Sequence, residues 1–229
     1  MKKNIVIIGG NSGIGAALAQ QLSTEHQLYL ISRNPLELSG AVAIACDVTT
    51  DTFPADQLPE QIHGMAYCPG SINLRPFKGL KPEAFVDDFN LNLLGAVRVL
   101  QALEKSLVAG TPASVVLFST VAVQTGMAFH ASVASAKGAV EGLTRSLAAE
   151  WAPKVRVNAI APSLIDTPLA SKFLNNEAKM EKAAERHPLK RVGNSKEIAA
   201  LAAFLLTGNS QWITGQILTV DGGLGSIKT

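Results

Sequence analysis

A short apolar run, Asn4-Ile5-Val6-Ile7-Ile8, leads straight into Gly9-Gly10-Asn11-Ser12-Gly13-Ile14-Gly15, and Ile14 to Ser23 then follows with helical periodicity. No other stretch constrains the fold as tightly. An unbroken run of β-branched residues reads as a strand buried on both faces. Glycines behind such a strand let the backbone approach a ligand closely. The helix that follows offers unbonded N–H groups and the positive end of its dipole. Strand, glycine loop and helix in this order form a phosphate cradle, the setting a dinucleotide fingerprint requires. The plain alternative is a strand–helix turn with no ligand.

The rest of the chain repeats the alternation. Strands are expected at Gln27 to Ser32, Ala41 to Ala45, Gly64 to Cys68, Ser114 to Ser119, Val155 to Ala161 and Gln216 to Val220. Helices are expected at Phe85 to Leu107, Ser132 to Trp151, Lys179 to Glu185 and Lys196 to Leu206. The pattern predicts an α/β fold, a single-domain doubly wound parallel sheet of the Rossmann type. Only Asn34 to Gly40, with Pro35 inside, separates the second and third strands, too short for a crossover helix. No repeat, low-complexity tract or linker interrupts the chain, so residues 1–229 read as one dinucleotide-binding domain.

Composition narrows the partners. A net charge of +2 without a basic block, and 5% aromatics, argue against a nucleic-acid face. Cys46 and Cys68 cannot build a disulfide framework, and His26, His63, His130 and His187 show no metal-ligand spacing. No metal is expected. No apolar stretch reaches about 18 residues and no signal peptide is apparent, so the expectation is a cytoplasmic protein without a membrane span.

The spacing Gly9-x3-Gly13-x-Gly15 is wider than the usual dinucleotide fingerprint. Here the sequence resembles the short-chain dehydrogenase/reductase family, and it does so in order along the whole chain. Asp47-Val48 resembles the pair that contacts adenine. Tyr67-Cys68-Pro69-Gly70 stands where the family has Asn-Asn-Ala-Gly, and Asn92 resembles the helix Asn. Ser119-Thr120 resembles the active-site Ser-Ser. Pro162-Ser163, with Ile165 and Thr167, resembles the Pro-Gly segment beside the nicotinamide. Pro188-Leu189, Arg191, Gly193 and the stretches Ile213 to Gln216 and Val220 to Gly223 resemble the C-terminal signature. The resemblance implies a nicotinamide dinucleotide held by Gly9, Asn11, Ser12, Gly13, Ile14, Gly15, Asp47, Val48, Cys68, Pro69, Gly70, Lys137, Pro162, Ser163, Ile165 and Thr167.

The end of the second strand selects between the two dinucleotides. An acidic residue there would hold the ribose hydroxyls and repel a 2′-phosphate. The chain instead reads Ser32-Arg33-Asn34. A hydroxyl and a guanidinium suit a phosphate, so the expected cofactor is NADP(H). A solvated Arg33 beside NAD is the alternative.

The resemblance further implies a catalytic Asn, Ser, Tyr and Lys. Asn92, Thr120 with Ser119 beside it, and Lys137 take three of these places. Four residues before Lys137, where the Tyr belongs, stands Val133, and the only tyrosines are Tyr29 and Tyr67. Three readings stay open. The chain is an NADP(H)-dependent reductase of a small carbonyl with another acid, His130 being the nearest titratable group. Or it reduces an activated C=C bond, with the oxyanion held by hydroxyls or by Lys137. Or it binds NADP(H) without turnover, as a sensor or assembly partner. Ser132 is a further hydroxyl near this site. Small residues at Ala134, Ala136, Gly138, Ala139 and Gly142, together with the resemblance, imply pairing of long helices across subunits in a homotetramer or homodimer. The charged stretch Asn175 to Arg186 occupies the family's substrate-lid segment and reads otherwise as a solvated helix.

Overall fold

The computed structural model describes residues 2–228. The first strand, β1 (Asn4–Ile8), lies third from one edge of a seven-stranded, wholly parallel sheet. Its neighbours are β2 (Gln27–Ser32) and β3 (Val42–Ala45) on one side, and β4 (Gly64–Tyr67), β5 (Ala113–Phe118), β6 (Val155–Pro162) and β9 (Ile217–Val220) on the other. The order β3-β2-β1-β4-β5-β6-β9 reverses direction between β1 and β4, where an open α/β sheet forms its ligand crevice.

The unbroken hydrophobicity of β1 follows from burial on both faces. Val6 and Ile8 pack into the core beneath α3 (Gly95–Ala109) and α5 (Ala131–Trp151). Ile5 and Ile7 pack beneath α1 (Gly13–Leu22) and α7 (Ser195–Leu206). Successive side chains of a strand point to opposite faces, so two helical layers demand apolar residues at every position. The single-domain, doubly wound α/β architecture read from the alternation is the one observed, and the strand starts and ends fall within a residue of those expected.

No helix joins β2 to β3, as the short link requires. Four other features depart from expectation and bear on the site. The long central helix begins three residues early, at α2 (Pro82–Phe89), because Pro82 has its fixed φ at the first helical turn, where its missing N–H costs nothing. That helix then widens into a π-turn over Asn90–Leu94 before continuing as α3. A short α4 (Ala122–Thr125) follows β5, and a two-residue pairing of β7 (Ile165–Asp166) with β8 (Gly193–Asn194) was not expected from pattern. Between them lie a 3₁₀ turn, Pro168–Phe173, and α6 (Glu177–Glu185). Among the described residues no helix is long and apolar enough to cross a membrane.

Candidate active site

The loops after β1, β4 and β6 meet at the carboxyl end of the sheet. Gly9 has φ +76° and Gly13 φ +52°, backbone states that L side chains rarely adopt. A Cβ on Gly15 would lie within 2.2 Å of the Gly9 carbonyl oxygen, so the first turn of α1 folds back onto the loop only as glycine. The loop touches both neighbours. A Cβ on Gly9 would sit 3.2 Å from Pro69, and one on Gly13 would sit 3.4 Å from Thr167. Ser12 caps α1 with no side-chain hydrogen bond, so the first N–H groups are left for a ligand.

Several polar groups are buried here without a protein partner. They include Ser32 Oγ at the end of β2 and Asn92 Oδ1 in the π-turn. Buried groups of this kind are rare unless something else meets them. Arg33 follows Ser32, and its charge, added to hydrogen bonds from the Thr49 hydroxyl and amide, holds the Asp47 carboxyl below its usual range. The hydrogen bonds are the larger cause. A positive φ loop, a free helix N-terminus, an orphaned hydroxyl and a guanidinium together fit a phosphorylated dinucleotide. Bound there, such a cofactor supplies a hydride. Val48 is buried, its carbonyl accepting from Arg98 Nη1, and Asn34 and Asn11 are exposed beside the loop.

Asn92 is fixed by the π-turn. Its Nδ2 donates to the Asp88 carbonyl and to Ser71 Oγ, both at 2.8 Å, and Ser71 donates on to Asp88 Oδ1 at 2.6 Å. The remaining atom, Oδ1, points toward Gly70. A Cβ on Gly70 would lie 3.4 Å from Asn92 Oδ1 and 3.5 Å from Lys137 Nζ, so three segments converge on one point. π-turns of this kind recur at functional sites.

Lys137 is nearly buried and lines a cavity of about 660 Å³. Burial lowers its pKa to about 8, against the opposing pull of Cys68 and Asp88. Burial likewise pushes the Cys68 thiol up to about 12, which leaves it an inert thiol. Ile14, Cys68 and Gly70 join the cavity to the glycine loop, and Thr120, His130, Val133, Ser163, Ile165 and Thr167 line it.

Some expected groups are placed otherwise. Ser119 reaches the cavity wall, but its hydroxyl donates to Glu141 Oε1 at 2.7 Å inside the protein. Of this pair Thr120 also lines the cavity, and its Oγ1 accepts only from the Ala122 amide, at 3.4 Å. Ser132 is fully buried and does not line the cavity. Tyr67 is a core residue whose hydroxyl donates to the Leu91 carbonyl at 2.6 Å. Val133 stands one turn before Lys137 and presents only methyl groups.

Two imidazoles border the cavity. His130 Nδ1 lies 2.7 Å from the Ala128 carbonyl, which can only accept, so Nδ1 carries the proton and Nε2 stays uncommitted. His187 was not singled out by sequence. Its Nδ1 donates to the Ala183 carbonyl at 2.8 Å, and in that tautomer Nε2 accepts from Ser163 Oγ at 2.9 Å. Ser163 and His187 stand 24 positions apart, and the residues between them carry no periodic signal that would have joined them. Among the described residues no group of three His, Cys, Asp or Glu gathers to hold a metal.

The fold and this convergence define a dinucleotide-dependent oxidoreductase class, and the chain belongs to the short-chain dehydrogenase/reductase family. The family description that matches residues 8–225 is enoyl-(acyl carrier protein) reductase. The chain is similar to a tropinone reductase homolog of Arabidopsis thaliana, 33% identical over 96% of this chain and 92% of that protein. It is similar to the 3-oxoacyl-(acyl-carrier-protein) reductase MabA of Mycobacterium tuberculosis, 30% identical over 98% and 94%. A solved structure of an ElxO variant with NADPH bound superposes with a TM-score of 0.89 at 26% identity, over 99% of this chain and 100% of that one.

Proposed function

We propose that this protein is an NADP(H)-dependent oxidoreductase that delivers hydride to a small carbonyl or activated C=C substrate, using a proton donor other than tyrosine. One observation carries the reading: a cavity joins the glycine loop to Lys137, Thr120 and a free imidazole nitrogen, and the side chain one turn before Lys137 is the apolar Val133. Gly9 to Gly15, Cys68 to Gly70, Pro162, Ser163, Ile165 and Thr167 hold the cofactor, and Ser32 with Arg33 hold its 2′-phosphate. The NADPH carried by ElxO supports that choice. Lys137 and Asn92 position the reacting end, and Thr120 hydrogen-bonds the substrate oxygen. With its ring doubly protonated, His130 keeps one proton on Nδ1 against the Ala128 carbonyl and gives the other from Nε2 to this oxygen as charge develops on it. His187 is occupied by Ser163 and orients the Pro162-Ser163 segment.

The reading extends to a cytoplasmic homotetramer or homodimer. A Cβ on Gly142 would meet nothing within 4 Å, so this face of α5 has room for a second subunit. A monomer mass in light scattering would exclude it.

The test is NADPH oxidation at 340 nm against ketones, quinones and enoyl thioesters, with Val133→Tyr and His130→Ala alongside. Turnover by the native protein, lost in His130→Ala with NADPH affinity kept, is the expected result. The active compound class then separates carbonyl from C=C reduction. A second reading, NADP(H) binding without turnover, is favoured by the apolar Val133. Activity in Val133→Tyr alone would establish it. An NADPH dissociation constant no tighter than that for NADH would overturn the cofactor assignment.

A further inference from the structure

Accepting the cavity as a substrate pocket, the geometry points to an anionic substrate, whose carboxylate or phosphate is met by a basic face of α6. Five side chains lining the cavity are cations: Lys137 inside, then Lys172, Lys179, Lys182 and Arg186 at its mouth. Among the described residues no carboxylate lines it. The sequence Glu177 to Arg186 is nearly balanced in charge, so this bias is made by the helix. At 3.6 residues per turn, Lys179, Lys182 and Arg186 fall within an arc of about 60°, Glu177 and Glu181 point away from it, and Glu185 flanks it. The buried Ala183 lies about 40° beyond the edge of the arc, and the three cations line the cavity.

The cations are not neutralised within the protein. Among the described residues the ion pairs are Arg145–Glu141 and Arg191–Glu197, and neither involves the mouth. Lys179 Nζ is steered by the Asn175 side chain at 2.9 Å and the Lys172 carbonyl at 3.3 Å, contacts that fix its direction and leave its charge. Like charges three and four positions apart, as at Lys179, Lys182 and Arg186, disfavour a helix. The arrangement costs stability and concentrates positive potential at a concave entrance, which draws in and orients an anion. The free ammonium and guanidinium heads sit at the mouth and the reacting groups lie deeper. The substrate's anionic group therefore trails its reducible carbon.

The experiment compares matched probes that differ in charge: acetoacetate with methyl acetoacetate, and the acetoacetyl thioester of 4′-phosphopantetheine with that of pantetheine. Binding is measured by calorimetry on the NADP⁺-loaded protein, which cannot reduce them, so affinity is read without turnover. The charged member of one pair is expected to bind about tenfold more tightly than its neutral partner, less so as salt rises. Preference within the first pair assigns a carboxylate, within the second a phosphate. Combined Lys179→Gln, Lys182→Gln and Arg186→Gln should abolish the preference, and Glu177→Gln with Glu181→Gln should keep it. Equal binding within both pairs overturns the inference. So does loss of NADP⁺ affinity in the triple variant, which would assign the cations to the cofactor. A charge preference without turnover in the 340 nm assay would remove the oxidoreductase reading and leave this one standing.

Discussion

Replacing Lys137 with methionine should stabilise the protein while disabling its site. The folded chain lowers this lysine from 10.5 to about 8, chiefly by burial. That difference corresponds to about 3 kcal/mol against the charged form in the folded state. The sign follows from proton linkage. Below pH 8 both folded and unfolded chains carry the charge, and the full penalty applies. Between pH 8 and 10.5 the unfolded chain binds more protons than the folded one, so stability rises with pH, and above 10.5 the penalty is gone. Methionine has similar length, no charge and adapts to irregular space. Lys137→Met should therefore gain about 2–3 kcal/mol at pH 7, a rise of roughly 5–10 °C in Tm for a chain of this size. The assay is urea unfolding of both proteins from pH 7 to 10.5 without cofactor, with NADPH binding measured in parallel. The native curve should climb toward the variant's and meet it near the top of the range, and the variant should lose NADPH affinity. A variant less stable than the native protein at pH 7, or a constant gap across the range, would refute the reasoning.

Other outcomes are equally definite. Gly15→Ala forces a Cβ within 2.2 Å of the Gly9 carbonyl, so NADPH binding should be lost, as fluorescence titration would show. Ser119→Ala removes the donor that holds the buried Glu141 carboxylate. It should cost about 1–3 kcal/mol in urea unfolding, and restoring the hydroxyl as threonine should recover part of it. Tyr67→Phe leaves the Leu91 carbonyl without its donor, for a loss of about 1 kcal/mol, and should keep turnover, since the phenol lies in the core. Asn194→Ala removes the side chain that accepts from the Lys196 and Glu197 amides at the start of α7, with a similar cost of about 1 kcal/mol.

The parts of the fold that were legible are those with a local cause. β1 announces itself because burial on both faces forbids polar residues in it. The missing helix between β2 and β3 is a matter of chain length. The glycine loop is readable because Gly9, Gly13 and Gly15 occupy conformations or contacts that a side chain forbids. What escaped is non-local. Nothing in the sequence pairs Ser119 with Glu141, so the commitment of that hydroxyl, and the emphasis it throws on Thr120, emerge only when β5 and α5 are packed together. The link between Ser163 and His187 is of the same kind. The charges of α6 were visible, but as alternation. Their separation into two faces depends on which side of the helix meets the cavity. The π-turn was hidden inside an apparently continuous helical pattern, since Asn90-Leu91-Asn92-Leu93-Leu94 mixes polar and apolar residues without marking where the phase slips by one residue.

That turn makes the chain intolerant of an edit that sequence length alone would call trivial. Deleting one residue within Asn90–Leu94 would convert the wide turn into ordinary α-helix and improve its local hydrogen bonding. An α-turn covers the same rotation with one residue fewer, so α2 and α3 would keep their faces while the residues inside the turn shift by up to about 100°. Asn92 would leave the place from which it reaches the Asp88 carbonyl and Ser71. The segment acts as a one-residue spacer that sets the angle of Asn92, and a shorter, locally sturdier chain would be one whose reactive end is out of alignment.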